Sequence, residues 1–288
     1  MKLRAGKFLL ELDRPLVMGI VNVTPDSFSD GGKFLPTESA IAHGRRLIKE
    51  GADLLDIGGE STRPGATAVS VQEELDRVMP VLEALVGDGV PISIDTQKTQ
   101  LMTAAIRAGA SMINDVNALL ADGAVDACTD ASVAVCLMHK QGSPDTMQRA
   151  PVYADVVKEV TDFLAERANT CMVAGIANER IVIDPGFGFG KTVEHNFRLL
   201  RELDALVTLG FPLLTGFSRK SSLGVVIGRP GDNRLAASIA AAIICAQNGA
   251  TILRVHDVRE TADAIKVLVA ANLAIAEKFT MRSKSKIK

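Results

Sequence analysis

The stretch Leu16–Gly32 reads LVMGIVNVTPDSFSDGG, and it joins two different kinds of sequence. Its first eight residues, LVMGIVNV, form a nearly unbroken apolar run, whereas the residues after them are rich in Thr, Pro, Asp, Ser and Gly. An apolar run of this length, without polar alternation, is typical of a strand that is buried on both faces of a parallel sheet. The polar residues behind it predict a loop at the carboxyl end of that strand.

Seven more apolar runs follow along the chain, and each ends in polar or Gly-rich residues. They are DLLDIGG (53–59), PISIDT (91–96), SMINDV (111–116), VAVCLMH (133–139), IVIDPG (181–186), PLLTGFS (212–218) and TILRVH (251–256). The segments between them carry apolar residues at helical spacing, such as Phe197, Leu200, Leu203 and Leu206, or Leu235, Ile239 and Ile243. Glycines stand where such helices should end in a left-handed cap, at Gly51, Gly109, Gly210 and Gly249.

Eight strand–helix units in about 250 residues predict an α/β fold, a single (β/α)8 TIM barrel, with an open doubly wound sheet as the weaker alternative. The segment KFLLEL, Lys7–Leu12, precedes the first unit and is expected to form a short strand or hairpin at the bottom of the barrel. We expect the barrel domain to span residues 1–280 and a basic tail to follow at 281–288. In such a barrel the loops after the strands build one shared pocket, so catalytic and binding residues should cluster there.

Composition excludes several classes of function. The 288 residues are 47% hydrophobic and carry a formal net charge of -2, so no broad basic surface for nucleic acid is expected. No apolar run reaches the roughly 18 residues that a membrane helix needs, and a cytoplasmic location is the default expectation. The four cysteines are far apart and lack metal-ligand spacing, which argues against a zinc site.

The strand ends carry two chemically different sets of side chains. Asp95, Asn114 and Asp184 offer carboxylates and an amide that can read the N–H and amino edge of a flat heterocycle. Arg63, Arg254 and His256, with Lys220 as a further candidate, form a cationic set that suits phosphate or pyrophosphate. Each residue taken alone also has a structural explanation, such as a helix cap for Asp95. Their convergence predicts a ligand that combines a polar aromatic ring with phosphate.

Several further residues could have either a structural or a ligand-binding role. His139 alone is interpreted as structural, and the Asp115 side chain should point away from that of Asn114 on the same strand. The stretch PGFGFGKT, 185–192, is similar to a phosphate-binding P-loop but has Pro185 where that motif needs Gly, so Lys191 is rejected as a nucleotide ligand. Phe187 or Phe189 could instead stack on a flat ligand. Ser221 stands where a helix should begin, which is a favourable place for an anion such as a carboxylate.

Seven motifs together resemble those of the dihydropteroate synthase family. They are NVTPDSFSDGG, DIGGESTRPGA, SIDT, IND, DPGFGFGK, GFSRKS and RVHD, and the similarity runs from about Val17 to His256. The resemblance implies a (β/α)8 barrel, commonly a homodimer. It also implies an enzyme of folate biosynthesis, the target of sulfonamides, that joins 6-hydroxymethyl-7,8-dihydropterin pyrophosphate to p-aminobenzoate and releases pyrophosphate, using Mg²⁺.

The resemblance also implies roles for individual residues. Pterin binding falls to Asp95, Asn114, Met138, Asp184, Lys220 and Arg254. Pyrophosphate binding falls to Asn22, Arg63, Arg254 and His256, and Asn22 also touches Mg²⁺. The p-aminobenzoate lies near Phe28, Thr62, Pro64, Phe189 and Ser221. Asp95, Arg63, Lys220, Arg254 and His256 are the expected catalytic residues, in an SN1-like step in which Asp95 favours a pterin cation and the cations stabilise the leaving group. The loops 22–32 and 62–68 are expected to close over both substrates.

Three alternatives remain. A methyltetrahydrofolate-dependent corrinoid methyltransferase would share the barrel and the acidic residues, but it expels no pyrophosphate and has no use for the cationic set. A non-catalytic pterin-binding paralogue would have lost a loop residue, and both loops look complete. A sugar-phosphate barrel enzyme would not need so many carboxylates in its pocket.

Overall fold

A computed structural model of the protein describes residues 1–23, 35–61, 69–142, 151–229 and 234–284. A hairpin of β1 (Lys2–Ala5) and β2 (Phe8–Glu11) precedes the barrel. The barrel strands are β3 (Leu16–Asn22), β4 (Leu54–Gly58), β5 (Ile92–Asp95), β6 (Met112–Asp115), β7 (Ala134–Met138), β8 (Ile181–Asp184), β9 (Leu214–Thr215) and β10 (Ile252–Val255). All eight apolar runs therefore form strands, as predicted.

Helices follow the strands and surround them. Those in the described part of the chain are α1 (Leu35–Lys49), α2 (Val71–Leu85), α3 (Thr99–Arg107), α4 (Ala124–Thr129), α5 (Val156–Val173), α6 (Val193–Arg201), α7 (Asp204–Val207), α8 (Ser221–Val226), α9 (Leu235–Gln247) and α10 (Val258–Lys284). The helical spacing between Phe197 and Leu206 is divided between α6 and α7, because Glu202 leaves the helical conformation at φ -106° and ψ 30°. The predicted start of a tail at 281 falls inside α10 and stays a prediction, since residues 285–288 lie outside the described ranges.

The strands are arranged in the order β8-β7-β6-β5-β4-β3-β10-β9. Neighbours are parallel, and the sheet curves round until β8 meets the chain before β9, where Ile183 forms a bridge with Leu213. The Ile183 N–H also donates to the carbonyl of Pro212 at 3.0 Å. The sheet is thus a nearly closed barrel, which confirms the predicted (β/α)8 fold and rules out the open sheet.

Side chains alternate between the two faces of each strand, which separates two apolar cores. On β4, Leu55 and Ile57 pack outward against the helices, whereas Leu54 packs inside the barrel. Asp56 lies on the same face as Leu54 and therefore also points into the barrel. The alternation places a charged side chain in the barrel interior at the middle of a strand.

The N-terminal hairpin closes the bottom of the barrel. Leu3 and Ala5 are fully buried and belong to the same interior cluster as Leu16, Leu54 and Ile252, which are the first residues of their strands. The Gly6 N–H donates to the carbonyl of Ser132 at 2.9 Å, just before β7. The hairpin is therefore the predicted bottom cap, and the opposite end of the barrel is left for the site.

Candidate active site

A narrow cavity of about 50 Å³ opens at the carboxyl ends of the strands. Its lining consists of Asp95, Asn114, Val116, Met138, Asp184, Gly186, Phe187, Phe189, Gly216, Lys220 and Arg254. All six residues predicted to bind the pterin are in this lining, and Phe189 joins them from the predicted p-aminobenzoate set. The strand register explains the convergence, since Gly58, Asp95 and Asn114 are direct neighbours across β4, β5 and β6, and Met138 pairs with Asp184.

A larger depression of about 590 Å³ lies elsewhere, on the outer surface of α1. Its lining residues are Glu38, Ile41, Ala42, Arg45, Arg46 and Lys49, all of which belong to that one helix. It contains none of the strand-end residues and is far more open than the barrel cavity. The barrel cavity is therefore the candidate active site.

Arg254 stands at the centre of a buried ionic cluster. Its Nε donates to Asp56 Oδ2 at 2.6 Å, and its Nη2 donates to Asp95 Oδ2 at 2.7 Å. The Asn114 side-chain amide donates to the same Asp56 oxygen at 3.1 Å, while Asp56 Oδ1 is buried without a hydrogen-bond partner. Two carboxylates surround one guanidinium, so the cluster carries one net negative charge when both are ionised.

Burial sets the protonation behaviour of this cluster. It raises the pKa of Asp95 to about 7, because the charged form loses its water; the Arg254 charge opposes this rise and the Asp56 charge adds to it. Burial alone would lower the pKa of Arg254, but the charges of Asp56 and Asp95 outweigh it and raise that pKa. Arg254 is a permanent cation, and Asp95 is the member of the cluster that titrates near neutral pH.

Asp56 was not among the residues predicted for the site. Its signal in the sequence is the carboxylate inside the apolar run DLLDIGG, at a position that strand alternation directs into the barrel. The predicted separation of Asp95 and Arg254 into an acidic and a cationic set needs correction as well. The two side chains form an ion pair, because strands β5 and β10 are both neighbours of the β3–β4 pair.

Asp184 lies at the end of β8 and is anchored by the loop that follows. Its Oδ1 accepts a hydrogen bond from the Gly186 N–H at 2.7 Å. Burial raises the pKa of Asp184 to about 6, while the Gly186 hydrogen bond and the charges of Lys220, Arg254 and Lys191 lower it. Gly186 has φ +67°, and a Cβ at this position would lie 2.0 Å from the carbonyl oxygen of His139. Only glycine permits this close approach of the two loops.

Two phenylalanines of the same loop have different surroundings. Phe187 is fully buried and stacks on Phe217, with ring centroids 4.4 Å apart and planes 7° from parallel. Phe189 is half-buried, and the Lys220 ammonium lies over its ring at 4.2 Å from the centroid. Both rings line the cavity, but Phe189 is the more exposed of the two and is the one beside the Lys220 charge.

His256 follows β10, and its Nδ1 lies 3.0 Å from Ser218 Oγ. Burial, together with the Arg254 and Arg219 charges, lowers the pKa of His256 to about 3. The imidazole is therefore neutral at pH 7, and the prediction of a cationic His256 is wrong. A neutral imidazole still binds phosphate oxygens as an N–H donor, because one of its two nitrogens carries a proton.

Asp115 is directed away from the pocket, as predicted, and Lys191 is not among the residues that line it. The Lys191 ammonium is buried and lies against His139 Nδ1 at 2.9 Å, with backbone carbonyls around it. It therefore has no exposed charge for a nucleotide, which agrees with the rejection of a P-loop. Asp115 accepts hydrogen bonds from the backbone N–H groups of Asn117 and Leu119 at 2.7 and 2.8 Å and stabilises the turn after β6.

The remaining predicted site residues lie around the rim or outside the described ranges. Asn22 ends β3 and pairs with Gly58, and Ser221 is the first residue of α8. Phe28, Thr62, Arg63 and Pro64 lie outside the described residues, as do most of the two loops expected to close over the substrates.

Asn22 offers one amide oxygen to a metal ion. Within residues 1–23, 35–61, 69–142, 151–229 and 234–284, no three His, Cys, Asp or Glu side chains form a group that could hold a metal. Mg²⁺ prefers hard oxygen donors, and it commonly keeps several waters and binds substrate phosphates together with one or two protein ligands. Asn22 therefore fits Mg²⁺ as one donor, provided that phosphate oxygens and water complete the shell.

None of the described helices is both long enough and apolar enough to cross a membrane.

Comparison with known proteins identifies the family. The family model described as "Pterin binding enzyme" matches residues 18–256. The dihydropteroate synthase of Neisseria meningitidis serogroup B is 52% identical over 277 residues, which cover 94% of this chain and 97% of the relative. Solved structures of Xanthomonas albilineans dihydropteroate synthase superpose closely. The structure with 4-aminobenzoic acid has a TM-score of 0.89 at 55% identity and covers 94% of this chain and 98% of its own. The structure with 7,8-dihydropteroate has a TM-score of 0.86 at 52% identity, with 94% and 99% coverage. The chain belongs to the dihydropteroate synthase family of pterin binding enzymes.

Proposed function

We propose that this enzyme condenses 6-hydroxymethyl-7,8-dihydropterin pyrophosphate with p-aminobenzoate to give 7,8-dihydropteroate and pyrophosphate. The observation that carries the proposal is one cavity that combines Asp184 and Asn114, which can read a heterocycle edge, with the Arg254 guanidinium and the Lys220 ammonium. A ligand that is both a polar ring and a diphosphate ester matches this combination. The family membership of the chain supports the same reaction.

The pterin ring is assigned to the deep part of the cavity. The Asp184 carboxylate would accept two parallel N–H bonds from the ring nitrogen and the amino group, which requires the ionised form. Asn114 would bind the ring edge beside it, and Met138 would contact the ring face. Lys220 and Phe189 would lie at the rim, where the cation–π pair gives the ring a flat neighbour with a positive charge.

The pyrophosphate is assigned to the Arg254 side of the rim. Arg254 and neutral His256 would donate hydrogen bonds to its oxygens, with Arg63 as a further cation from the loop after β4. Mg²⁺ bound by Asn22 would supply charge neutralisation of the diphosphate. A leaving group that gains negative charge as its bond breaks is stabilised more in the transition state than in the ground state, so these contacts promote the reaction.

The chemical step breaks the bond between the pterin methylene carbon and the diphosphate oxygen. The electron pair of that bond leaves with pyrophosphate, so positive charge develops on the methylene carbon and spreads into the ring. The aniline nitrogen of p-aminobenzoate then forms the new C–N bond with its lone pair and releases one proton. The Asp56–Asp95–Arg254 cluster would support this SN1-like step when both carboxylates are ionised, since its net charge is then negative and it would lie beside the ring.

The p-aminobenzoate is assigned to the rim near Phe189 and the start of α8. The Ser221 hydroxyl would bind its carboxylate, and Phe189 would pack against its ring. Phe28, Thr62 and Pro64 would complete this part of the site. These assignments follow the family resemblance, and the position of Ser221 at the first residue of a helix supports them.

A homodimer is proposed as the working assembly. Apolar side chains are exposed on the last three helices, with Val225 and Val226 on α8, Ile244 on α9 and Val267 on α10. Exposed apolar groups of this kind favour association with another protein surface. Light scattering coupled to size exclusion would give twice the monomer mass if the proposal is right and 30.5 kDa if it is wrong.

The function is tested by incubating the purified protein with the pterin pyrophosphate, p-aminobenzoate and Mg²⁺ and detecting 7,8-dihydropteroate by mass spectrometry. Product formation in proportion to enzyme supports the proposal. Pterin binding without product would instead favour a non-catalytic pterin-binding protein. Arg254→Ala should reduce turnover much more than pterin affinity, and an equal loss of both would remove Arg254 from the leaving-group role.

A further inference from the structure

Lys191 is a buried cation for which the proposed reaction has no use. Its side chain is only 2% exposed, and its ammonium has no carboxylate within salt-bridge distance among the described residues. A buried charge without such a partner is costly, so it persists only where other groups satisfy it and where it serves a purpose. The groups that satisfy it belong to the two loops that form one wall of the pterin cavity.

Four acceptors surround the ammonium. They are the carbonyl oxygens of Gly186 at 3.0 Å, Phe189 at 3.1 Å and His139 at 3.3 Å, and the His139 ring nitrogen Nδ1 at 2.9 Å. His139 is the first residue after β7, whereas Gly186 and Phe189 belong to the loop after β8. Lys191 thus ties both loops to one point, and two of its acceptors belong to residues that line the cavity.

The same charge acts on Asp184. Burial lowers the pKa of Lys191 to about 7 although the Asp184 charge opposes this, so Lys191 is protonated below about pH 7. In that state its charge lowers the pKa of Asp184 against the effect of burial, together with the Gly186 hydrogen bond and the charges of Lys220 and Arg254. Lys220 also faces this pair: its charge lowers the pKa of both Asp184 and Lys191. His139 is neutral, because burial and the Lys191 charge lower its pKa to about 3. Lys191 therefore supplies a positive charge to the pocket wall from behind, where no ligand reaches it.

We propose that Lys191 is a positioning residue of the pterin site, which fixes the Gly186–Phe189 loop and keeps the Asp184 side chain ionised for recognition of the ring. The proposal rests on the assignment of Asp184 to the pterin. It separates two contributions of one side chain, a geometric one through carbonyl oxygens and an electrostatic one through the field at Asp184.

The electrostatic contribution gives a readout that a purely structural role would not change. Binding of 2-amino-4-oxopteridine would be measured by quenching of its fluorescence between pH 5 and 7.5. In the wild type the affinity should fall at acid pH as Asp184 takes up a proton. In Lys191→Gln, whose amide still donates to carbonyls, the midpoint of this fall should move to higher pH, because the variant lacks a charge that lowers the pKa of Asp184.

Two further variants separate charge from geometry. Tyr153→Phe removes the Tyr153 hydroxyl, which donates to the carbonyl of Gly190 in the same loop at 2.8 Å, without changing any charge. It should leave the acid midpoint where it is in the wild type. In an Asp184→Asn background the fall at acid pH should be absent, and adding Lys191→Gln should not restore it, since the group that takes up the proton is gone.

Each outcome of these measurements either supports or overturns the proposal. If the wild type does not bind the pteridine, the proposed function fails, whatever Lys191 does. If it binds and Lys191→Gln keeps the wild-type midpoint, or if the fall at acid pH persists in Asp184→Asn, the positioning role of Lys191 is overturned. Lys191→Met is the second variant, and if circular dichroism shows both to be unfolded, Lys191 serves stability alone and the proposal is wrong.

Discussion

Asp95→Asn should make this protein more stable at pH 8 while it abolishes turnover. The Asp95 carboxylate is buried beside Asp56, and its ion pair with Arg254 does not fully offset the loss of water, since its pKa is raised from 3.8 to about 7. Asparagine keeps the shape of the side chain and still accepts the Arg254 N–H through its amide oxygen. It removes the ability to ionise and replaces the second carboxyl oxygen with an NH2 group.

The magnitude follows from the change in pKa. A carboxyl group whose pKa is higher in the folded than in the unfolded chain binds its proton more tightly in the fold. The free energy of unfolding therefore falls as pH rises between 3.8 and about 7, and it is constant above that range. A rise from 3.8 to about 7 corresponds to about 4 kcal/mol. Asp95→Asn should gain about 4 kcal/mol over the wild type at pH 8 and less than half of that at pH 5.

Urea unfolding followed by far-ultraviolet circular dichroism is the suitable assay, because the chain has no Trp and one Tyr. The matched control is Asp53→Asn, at the opposite end of the barrel. Asp53 accepts hydrogen bonds from Arg14 at 2.7 and 2.9 Å, and this pair is partly exposed. Asp53→Asn should lower the free energy of unfolding by about 1 kcal/mol, whereas Asp95→Asn should raise it.

An Asp95→Asn variant that is less stable than the wild type at pH 8 would refute the reasoning, since it would mean that the ion pair with Arg254 outweighs the loss of water. A gain that is the same at pH 5 and pH 8 would refute it too, because the effect would then not come from ionisation.

Three further perturbations have expected outcomes. Arg254→Met leaves two buried carboxylates without their shared cation and should cost about 3–5 kcal/mol in urea unfolding at pH 8; a loss below 1 kcal/mol would contradict the central place of Arg254. Lys98→Met removes the partner of the fully buried Glu74 carboxylate and should cost a similar 3–5 kcal/mol, and an unchanged free energy of unfolding would contradict a stabilising role of this ion pair. Gly186→Ala places a Cβ 2.0 Å from the His139 carbonyl oxygen, so pteridine affinity should fall at least tenfold in the fluorescence titration, and wild-type affinity would show that the loops can separate.

The barrel could be predicted from the sequence because burial on both faces leaves a simple pattern. Each strand is a short apolar run, and the residue at which the run ends marks the rim where side chains such as Asp184 point at a ligand. The eight barrel strands followed from these runs, and β2 lies within the predicted segment Lys7–Leu12, whereas β1 was not predicted. The break between α6 and α7 did not, since apolar spacing continues across Glu202 while the backbone does not.

The electrostatics of the site could not be predicted in the same way. The pairing of Arg254 with Asp95 joins residues 159 positions apart, and it depends on barrel closure rather than on any local pattern. The neutral state of His256 depends on burial and on two arginines, which a histidine at a strand end does not reveal. Asp56 is the residue that the sequence did mark, as a charge inside an apolar run, but attention to strand ends alone passes over it.

The N-terminal hairpin that closes one end of the barrel affects how substrates enter the site and how products leave it. Because Leu3 and Ala5 close the barrel at the amino-terminal ends of the strands, both substrates must enter and both products must leave at the carboxyl ends. The ligand that binds deepest, the pterin, must then bind first and dissociate last. A p-aminobenzoate molecule already bound at the rim would block entry of the pterin. We therefore expect that the substrates bind in a compulsory rather than a random order, because the N-terminal hairpin closes the other end of the barrel.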